Sequence, residues 1–288
     1  MVHHQRMAMF VDGITLWQIL QAKSERYATD PFVLASIEEE DGGMTTLRAD
    51  TVTWNHLLSL ISEMRRFGKD LMTRSGQAVS IAGDPLFTFC ADVAFLSLGA
   101  RVEVLDAALF NGLDTFGEVV ILPEHCERLR GEFERILPSG DYRESSLFTC
   151  NEEQYRVFVR EPSGQERGEG RFGTFSSGTT GTPRRLTFSL SQLSSAIEAI
   201  CSRFPEIRPG KRTVSYLPCS ALYQRIMNFV ALMSGVTTVC LEDPREIFQV
   251  TPLVHPHYLI GVPLVFSKFA SLLQDVRSVS AVLGDAYE

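Results

Sequence analysis

The sequence predicts an α/β fold: mostly parallel sheets flanked by helices, arranged as two successive subdomains. Three observations carry that expectation. Short apolar runs of strand length alternate with amphipathic stretches of helix length, and the alternation recurs on both sides of a passage rich in Gly, Glu and Arg. The chain has 288 residues, enough for one large domain or two smaller ones. With 44% hydrophobic and 22% charged residues, its composition is that of a packed globular protein.

In order along the chain, "ITLWQILQAKSERY" sets Ile14, Leu16, Trp17, Ile19 and Leu20 at near-helical spacing. "TWNHLLSLISEMRRFGKDLM" does the same with Leu57, Leu58, Leu60, Ile61, Met64 and Phe67, so both are expected to be amphipathic helices. "QAVSIAGD" and "ARVEVLDA" are β-type runs that bracket the apolar helix "DPLFTFCADVAFLSLG". "GEVVILPE" reads as a further buried strand and "HCERLRGEFERIL" as a charged helix after it.

Apolar residues give way at "EPSGQERGEGRFG". This predicts a first subdomain over 1–161, a connector over 162–171 and a second subdomain over 172–288, with a long hairpin loop as the alternative reading of the connector. Beyond it "RFGTF" and "RLTFS" read as strands. "LSQLSSAIEAICSRF" follows, an amphipathic helix entered through serines able to cap it. "RTVSYLP" reads as strand, "YQRIMNFVALMSG" as helix, "VTTVCLE" as strand and "HYLIGVP" as a strand ending at Pro263.

Several function classes are disfavoured. The longest apolar passage, "RIMNFVALMSGVTTVCL", is broken by Arg225, Asn228, Ser234 and Gly235 and falls short of the ~20 residues a spanning helix needs. No transmembrane segment is expected. The N-terminus "MVHHQRMAMFVDG" lacks the apolar stretch and small-residue cleavage site of a secretory leader. Cys90, Cys126, Cys150, Cys201, Cys219 and Cys240 are scattered without CxxC spacing, which predicts reduced thiols and a cytoplasmic setting. A formal net charge of −8 argues against nucleic acid as a partner. His255-Pro256-His257 lacks a nearby acidic or Cys partner and reads as a loop rather than a metal site. His125 and Cys126 are neighbours whose side chains diverge on a helix, so they form no nucleophilic pair.

"FSSGTTGTPRRLTFS" lies between two expected strands and ahead of a helix, where a loop at a strand end usually holds ligand. Gly178 and Gly181 let the main chain approach a ligand closely. The hydroxyls of Ser176, Ser177, Thr179, Thr180 and Thr182, with the backbone N–H groups, are suited to wrap an anion. Pro183 stiffens the exit, and Arg184 adds a planar, fully charged donor fork. The chemistry is that of a phosphate clamp. It is not a Walker A loop, whose spacing and lysine are absent.

The loop resembles the phosphate signature of the adenylate-forming superfamily, which includes the acyl- and aryl-CoA synthetases. Phe175 to Arg184 fills that family's aromatic-led Ser/Thr-Ser-Gly-Thr-Thr-Gly-x-Pro-Lys with arginine in place of lysine. Trp54 and the helix it opens, "GQAVSIAGD" with its following helix, "SYLPCSALYQR" and "LIGVPLVFSKF" are similar to further family segments in the same order. Two positions depart from the pattern: Ala221 stands where the family usually has a histidine, and Gln224 where a glutamate is common. Arg225 is kept.

The resemblance implies the fold of an adenylate-forming N-terminal domain and an ATP-dependent activation of a carboxylic acid. It also implies Mg²⁺ with the ATP and the thiol of CoA or of an acyl carrier protein as acceptor. Ser176 to Thr182 and Arg184 would meet the phosphates, and Ala221 would border the acid. Gly284, Asp285 and Ala286 of "SAVLGDAYE" would border the adenine. Catalytic residues are not assigned. Family members continue with a glutamate for Mg²⁺, a ribose-binding aspartate and a small domain with a catalytic lysine. An incomplete domain, slow or inactive without a complementary C-terminal chain, is therefore expected. A non-catalytic nucleotide-binding or interaction module and a truncated gene product are the alternatives.

Overall fold

The β-branched and aromatic runs of the sequence become strands that pair across long stretches of chain. The computed structural model describes residues 10–27, 29–40, 44–75, 77–106, 109, 113, 116–124, 141–150, 152–161, 170–176, 183–272 and 274. In chain order the strands are β1 (Phe32–Glu40), β2 (Met44–Val52), β3 (Ala78–Ile81), β4 (Arg101–Val104), β5 (Val119–Pro123), β6 (Tyr142–Cys150), β7 (Glu153–Arg160), β8 (Arg171–Ser176), β9 (Arg184–Ser189), β10 (Arg212–Ser215) and β11 (Thr237–Leu241). They form a four-stranded sheet, β10-β11-β1-β2, and a seven-stranded sheet, β6-β7-β5-β3-β4-β8-β9.

The core of each sheet is parallel, as β3 with β4, β3 with β5, β4 with β8, and β1 and β10 with β11. The flanking pairs β1–β2, β5–β7, β6–β7 and β8–β9 are antiparallel. The strands do not sort by their side of 162–171. β8 from beyond that passage pairs with β4 from before it, and β1 pairs with β11.

Six helices have their ends set by local chemistry: α1 (Gly13–Ser24), α2 (Trp54–Ser75), α3 (Pro85–Ser97), α4 (Leu190–Arg203), α5 (Leu222–Ser234) and α6 (Ile247–Val254). Asp12 caps α1 by accepting the Thr15 N–H at 2.8 Å, while the Thr15 hydroxyl accepts the Asp12 N–H at 3.2 Å. Ser189 and Gln192 make the same reciprocal cap on α4. Asp84 caps α3, with Pro85 opening its first turn, where a missing N–H costs nothing.

From Leu86 to Ser97 α3 is buried on every face, which a helix tolerates only between two layers. It touches β3 and β4 of one sheet and β1 and β11 of the other. Phe89 of α3 stacks on Phe32 of β1 at 4.7 Å and lies 5.8 Å from Phe229 of α5, which in turn meets Phe172 of β8. Each such ring contributes roughly 2–3 kcal/mol by leaving water. This contact chain links β1 of one sheet to β8 of the other through α3 and α5.

α5 ends on Gly235, whose φ of 67° is left-handed. A Cβ there would also meet Tyr27 and Pro209 at 3.3 Å. Gly235→Ala is therefore expected to cost about 1–2 kcal/mol, read as a lower urea midpoint with an unchanged slope.

One expected strand is not formed. Residues 258–262 of "HYLIGVP" run without strand pairing, and Pro263 opens a seventh helix, α7, over 263–272. Backbone groups of the segment have other partners. The Tyr258 carbonyl is taken by the Thr213 hydroxyl at 3.2 Å, and the Val262 carbonyl accepts the Val265 N–H at 3.0 Å. Pro263 suits a first helical turn. The expected helix over 125–137 lies outside the described residues. No helix among the described residues is long and apolar enough to cross a membrane.

Candidate functional site

The Ser/Gly/Thr segment follows β8, which ends at Ser176, and precedes β9, which starts at Arg184. β8 runs parallel to β4, so its end at Ser176 lies on the same edge of the sheet as the ends of β3, β4 and β5. This is the carboxyl edge, where open α/β sheets usually hold ligands. Ser176 sits opposite Arg184 in the β8–β9 ladder, and its hydroxyl approaches the Arg184 carbonyl at 3.5 Å. Arg184 is exposed. Ser177, Gly178, Thr179, Thr180, Gly181 and Thr182 lie outside the described residues, as do Gly284, Asp285, Ala286, His125 and Cys126.

The next arginine behaves differently. Arg185 Nε lies 2.6 Å from Glu103 Oε1, and Glu103, on β4, is 1% exposed. Both adjacent arginines are exposed, and Arg185 is in addition tied to a buried carboxylate.

The carboxyl ends of both sheets open onto one cleft of about 1000 Å³. Asp84 follows β3, Asp106 follows β4, Pro123 ends β5, Tyr216 to Ser220 follow β10, and Glu242 follows β11; all line it. Asp84 Oδ2 accepts the Tyr155 hydroxyl at 2.7 Å, and the Tyr155 ring stacks on Phe87 at 3.5 Å between centroids. Burial and the Asp84 charge hold the Tyr155 phenol far above its ordinary range, so it keeps its proton and donates. Ser220 donates to Asp106, tying the β10–α5 turn to the end of β4.

Sequence reading weighs Ser220 only as a serine lacking a G-x-S-x-G context and does not single out Asp84, Asp106 or Tyr155. Asp84 carried a signal, since Asp-Pro ahead of an apolar helix marks a cap at a strand end. The others become neighbours only through the strand order.

Cys90, Cys150 and Cys219 also line the cleft. Burial pushes the Cys150 and Cys219 thiols up to about 12. At pH 8 that leaves roughly one thiolate in ten thousand. Peptide mass spectrometry after iodoacetamide at pH 8 should therefore show Cys150 and Cys219 labelled far more slowly in the folded chain than in urea.

The segment "SYLPCSALYQR" takes up its place around the start of α5. Ala221 is the N-cap residue of α5 and makes no side-chain cap. Its N–H is held by the Pro218 carbonyl at 2.9 Å. Gln224 turns inward: its Oε1 accepts the Leu217 N–H at 3.4 Å and its Nε2 donates to Asn228 at 2.9 Å.

Arg225 is 3% exposed and grips Asp92 of α3 through Nε at 2.6 Å and Nη2 at 2.5 Å. It also donates to the carbonyls of Gly173 and Val102 and lies 3.6 Å over the Phe172 ring. Arg225 therefore ties α5, α3, β4 and β8 into one unit. His257 accepts the Arg212 N–H through Nδ1 at 3.1 Å.

Comparison with known proteins bears on what this arrangement is for. A family model described as AMP-binding enzyme matches residues 134–286, just over half of the chain. A probable acyl-activating enzyme 16, chloroplastic, of Arabidopsis thaliana is 32% identical over 112 residues, which make up 37% of this chain and 14% of that protein. Among solved structures, the inhibitor-bound N-terminal domain of FACL13 from Mycobacterium tuberculosis has a TM-score of 0.61 at 15% identity, covering 90% of this chain and 64% of that one. O-succinylbenzoate coenzyme A synthetase (MenE) from Bacillus subtilis, in complex with AMP, has a TM-score of 0.59 at 15% identity, covering 89% of this chain and 64% of its own. At that identity the two structures speak to the fold. The chain spans just under two thirds of each solved relative.

Proposed function

Because the chain belongs to the AMP-binding enzyme family, we propose that it binds ATP where β8 and β9 meet and activates a carboxylic acid as its acyl-adenylate. The observation that carries this reading is the pairing of Ser176 with the exposed Arg184 at a sheet's carboxyl edge, bracketing "SGTTGTP". Attack of a carboxylate oxygen on the α-phosphorus expels pyrophosphate and loads charge onto oxygens. Such a step is accelerated by positioning and by fixed donors. Ser176, Ser177, Gly178, Thr179, Thr180, Gly181 and Thr182 would supply hydroxyls and N–H groups, and Arg184 the charge.

Ala221, Gly284, Asp285 and Ala286 would border the acid and adenine. A fatty- or aryl-type acid is the substrate class we favour, with the thiol of CoA or of a carrier protein as acceptor. Mg²⁺ would enter with the phosphates of ATP. Among the described residues no group of three His, Cys, Asp or Glu side chains is set to hold a metal by itself. A cytoplasmic setting fits the free thiols Cys90, Cys150, Cys201, Cys219 and Cys240.

A second reading, a nucleotide-binding module without turnover, is favoured by one observation. The start of α5 offers the non-polar Ala221, while Gln224 and Arg225 are committed to interior bonds. Acid-dependent exchange of labelled pyrophosphate into ATP, measured on the chain alone and with a complementary C-terminal chain, separates the two. Exchange in either arm supports activation. Calorimetric ATP binding without exchange in both arms supports the module, and no ATP binding overturns both readings.

A further inference from the structure

We propose that Glu103 is a positioning residue for the nucleotide. It reaches across β8 to hold Arg185, fixing the strand ends at Ser176 and Arg184 and leaving Arg184 as the cation that meets phosphate. This rests on the ATP-binding reading above. Glu103 lies opposite Gly173 in the β4–β8 ladder. A Cβ on Gly173 would come within 2.7 Å of Glu103 Cγ, so the glutamate side chain lies directly over the bare backbone of β8.

The carboxylate thereby spans one whole strand. It meets Arg185 Nε at 2.6 Å on β9, with Nη2 at 3.4 Å from its second oxygen. Arg185 pairs across the ladder with Phe175, the residue before Ser176, and its guanidinium lies 5.4 Å from that ring. Ser80 donates to the same carboxylate at 3.3 Å, and Arg101 Nε stands 3.6 Å away.

A carboxylate this buried needs its compensating charges, and Arg185 is the one supplied by the hairpin. The brace therefore does two things at once. It cross-links β4 to β9 over β8 one residue from Ser176 and Arg184, and it neutralises one of two adjacent arginines.

The test is calorimetric titration of MgATP into the wild-type chain and three variants, Glu103→Gln, Gly173→Ala and Arg185→Lys, each first shown to be folded by urea denaturation. Glu103→Gln removes the charge, Gly173→Ala pushes the glutamate aside at unchanged charge while also crowding the Val102 carbonyl at 3.1 Å, and Arg185→Lys keeps the charge but loses the fork. Each should bind about tenfold or more weakly, the scale of losing one hydrogen bond to a charged group. In Glu103→Gln the affinity should also fall more steeply with salt, because the Arg185 charge is unmasked beside Arg184.

Variants that unfold earlier in urea yet bind MgATP with wild-type affinity and salt dependence would make the brace purely structural and overturn the proposal. If Glu103→Gln or Gly173→Ala does not fold, the partly exposed Arg185→Lys decides alone, in the same direction. A wild-type chain that takes up no MgATP overturns the ATP-binding reading itself, a result distinct from equal binding by all variants.

Discussion

Replacing Arg225 with alanine is expected to destabilise the fold by about 3–5 kcal/mol, a large share of the stability of a typical domain. The change leaves the Asp92 carboxylate, 2% exposed, without its bidentate partner. It also removes the donors to the Gly173 and Val102 carbonyls and the cation over Phe172. The loss should depend on pH with a definite sign. Burial raises the Asp92 pKa and Arg225 opposes it. Without Arg225 burial acts alone, the folded-state pKa stands further above the unfolded value, and the unfolded chain releases this proton first as pH rises. The variant's deficit relative to wild type should therefore widen as pH climbs above about 4.

Urea denaturation of both proteins at pH 5 and pH 7 checks this, and an equal deficit at the two values would show that Asp92 stays ionised without its partner. Asp92→Leu combined with Arg225→Met should recover most of the stability. A buried pair replaced by apolar side chains of similar volume is often neutral, whereas a pair broken on one side is not.

Arg225 also marks where sequence reading stops. The residue is marked in "SYLPCSALYQR", whereas Asp92, a lone carboxylate in an otherwise apolar helix, is not singled out by the sequence reading. A charge in such a helix demands a partner. Nothing local says that the partner is 133 positions away, because that pairing is made by the layering of α3 and α5 between two sheets. The helices were legible because their periodicity and caps are local, as in Asp84-Pro85 and Ser189 with Gln192.

The hairpins β1–β2 and β6–β7 were not. β6, "YRESSLFTC", exposes most of its side chains, so its identity comes from hydrogen bonding to β7 rather than from an apolar pattern. Strand order was equally hidden. β8 pairs with β4 across an intervening hairpin, and only that crossover brings Gly173 beneath Glu103. The phosphate-clamp reading of Ser176 to Thr182 and Arg184 rests on residue chemistry alone, since Ser177 to Thr182 lie outside the described residues. The cleft lined by Asp84, Asp106 and Ser220 was not, since its walls come from the ends of five strands in two sheets.

Arg184→Ala is expected to weaken ATP binding by about 10- to 100-fold, the effect of losing hydrogen bonds to a charged group. Arg184 is exposed, so its removal should leave the urea midpoint within error of wild type. Arg184→Lys should retain most of the affinity, because a lysine occupies this place in the family signature and an ammonium still meets phosphate as a point charge. Isothermal titration with ATP and with AMP sharpens the assignment. If Arg184 faces the β- and γ-phosphates, the alanine variant loses more affinity for ATP than for AMP. Equal losses for both would put the side chain at the α-phosphate, where the acid attacks. Wild-type affinity for both nucleotides in the alanine variant would remove Arg184 from the clamp and leave the hydroxyls and N–H groups of the loop to hold phosphate alone.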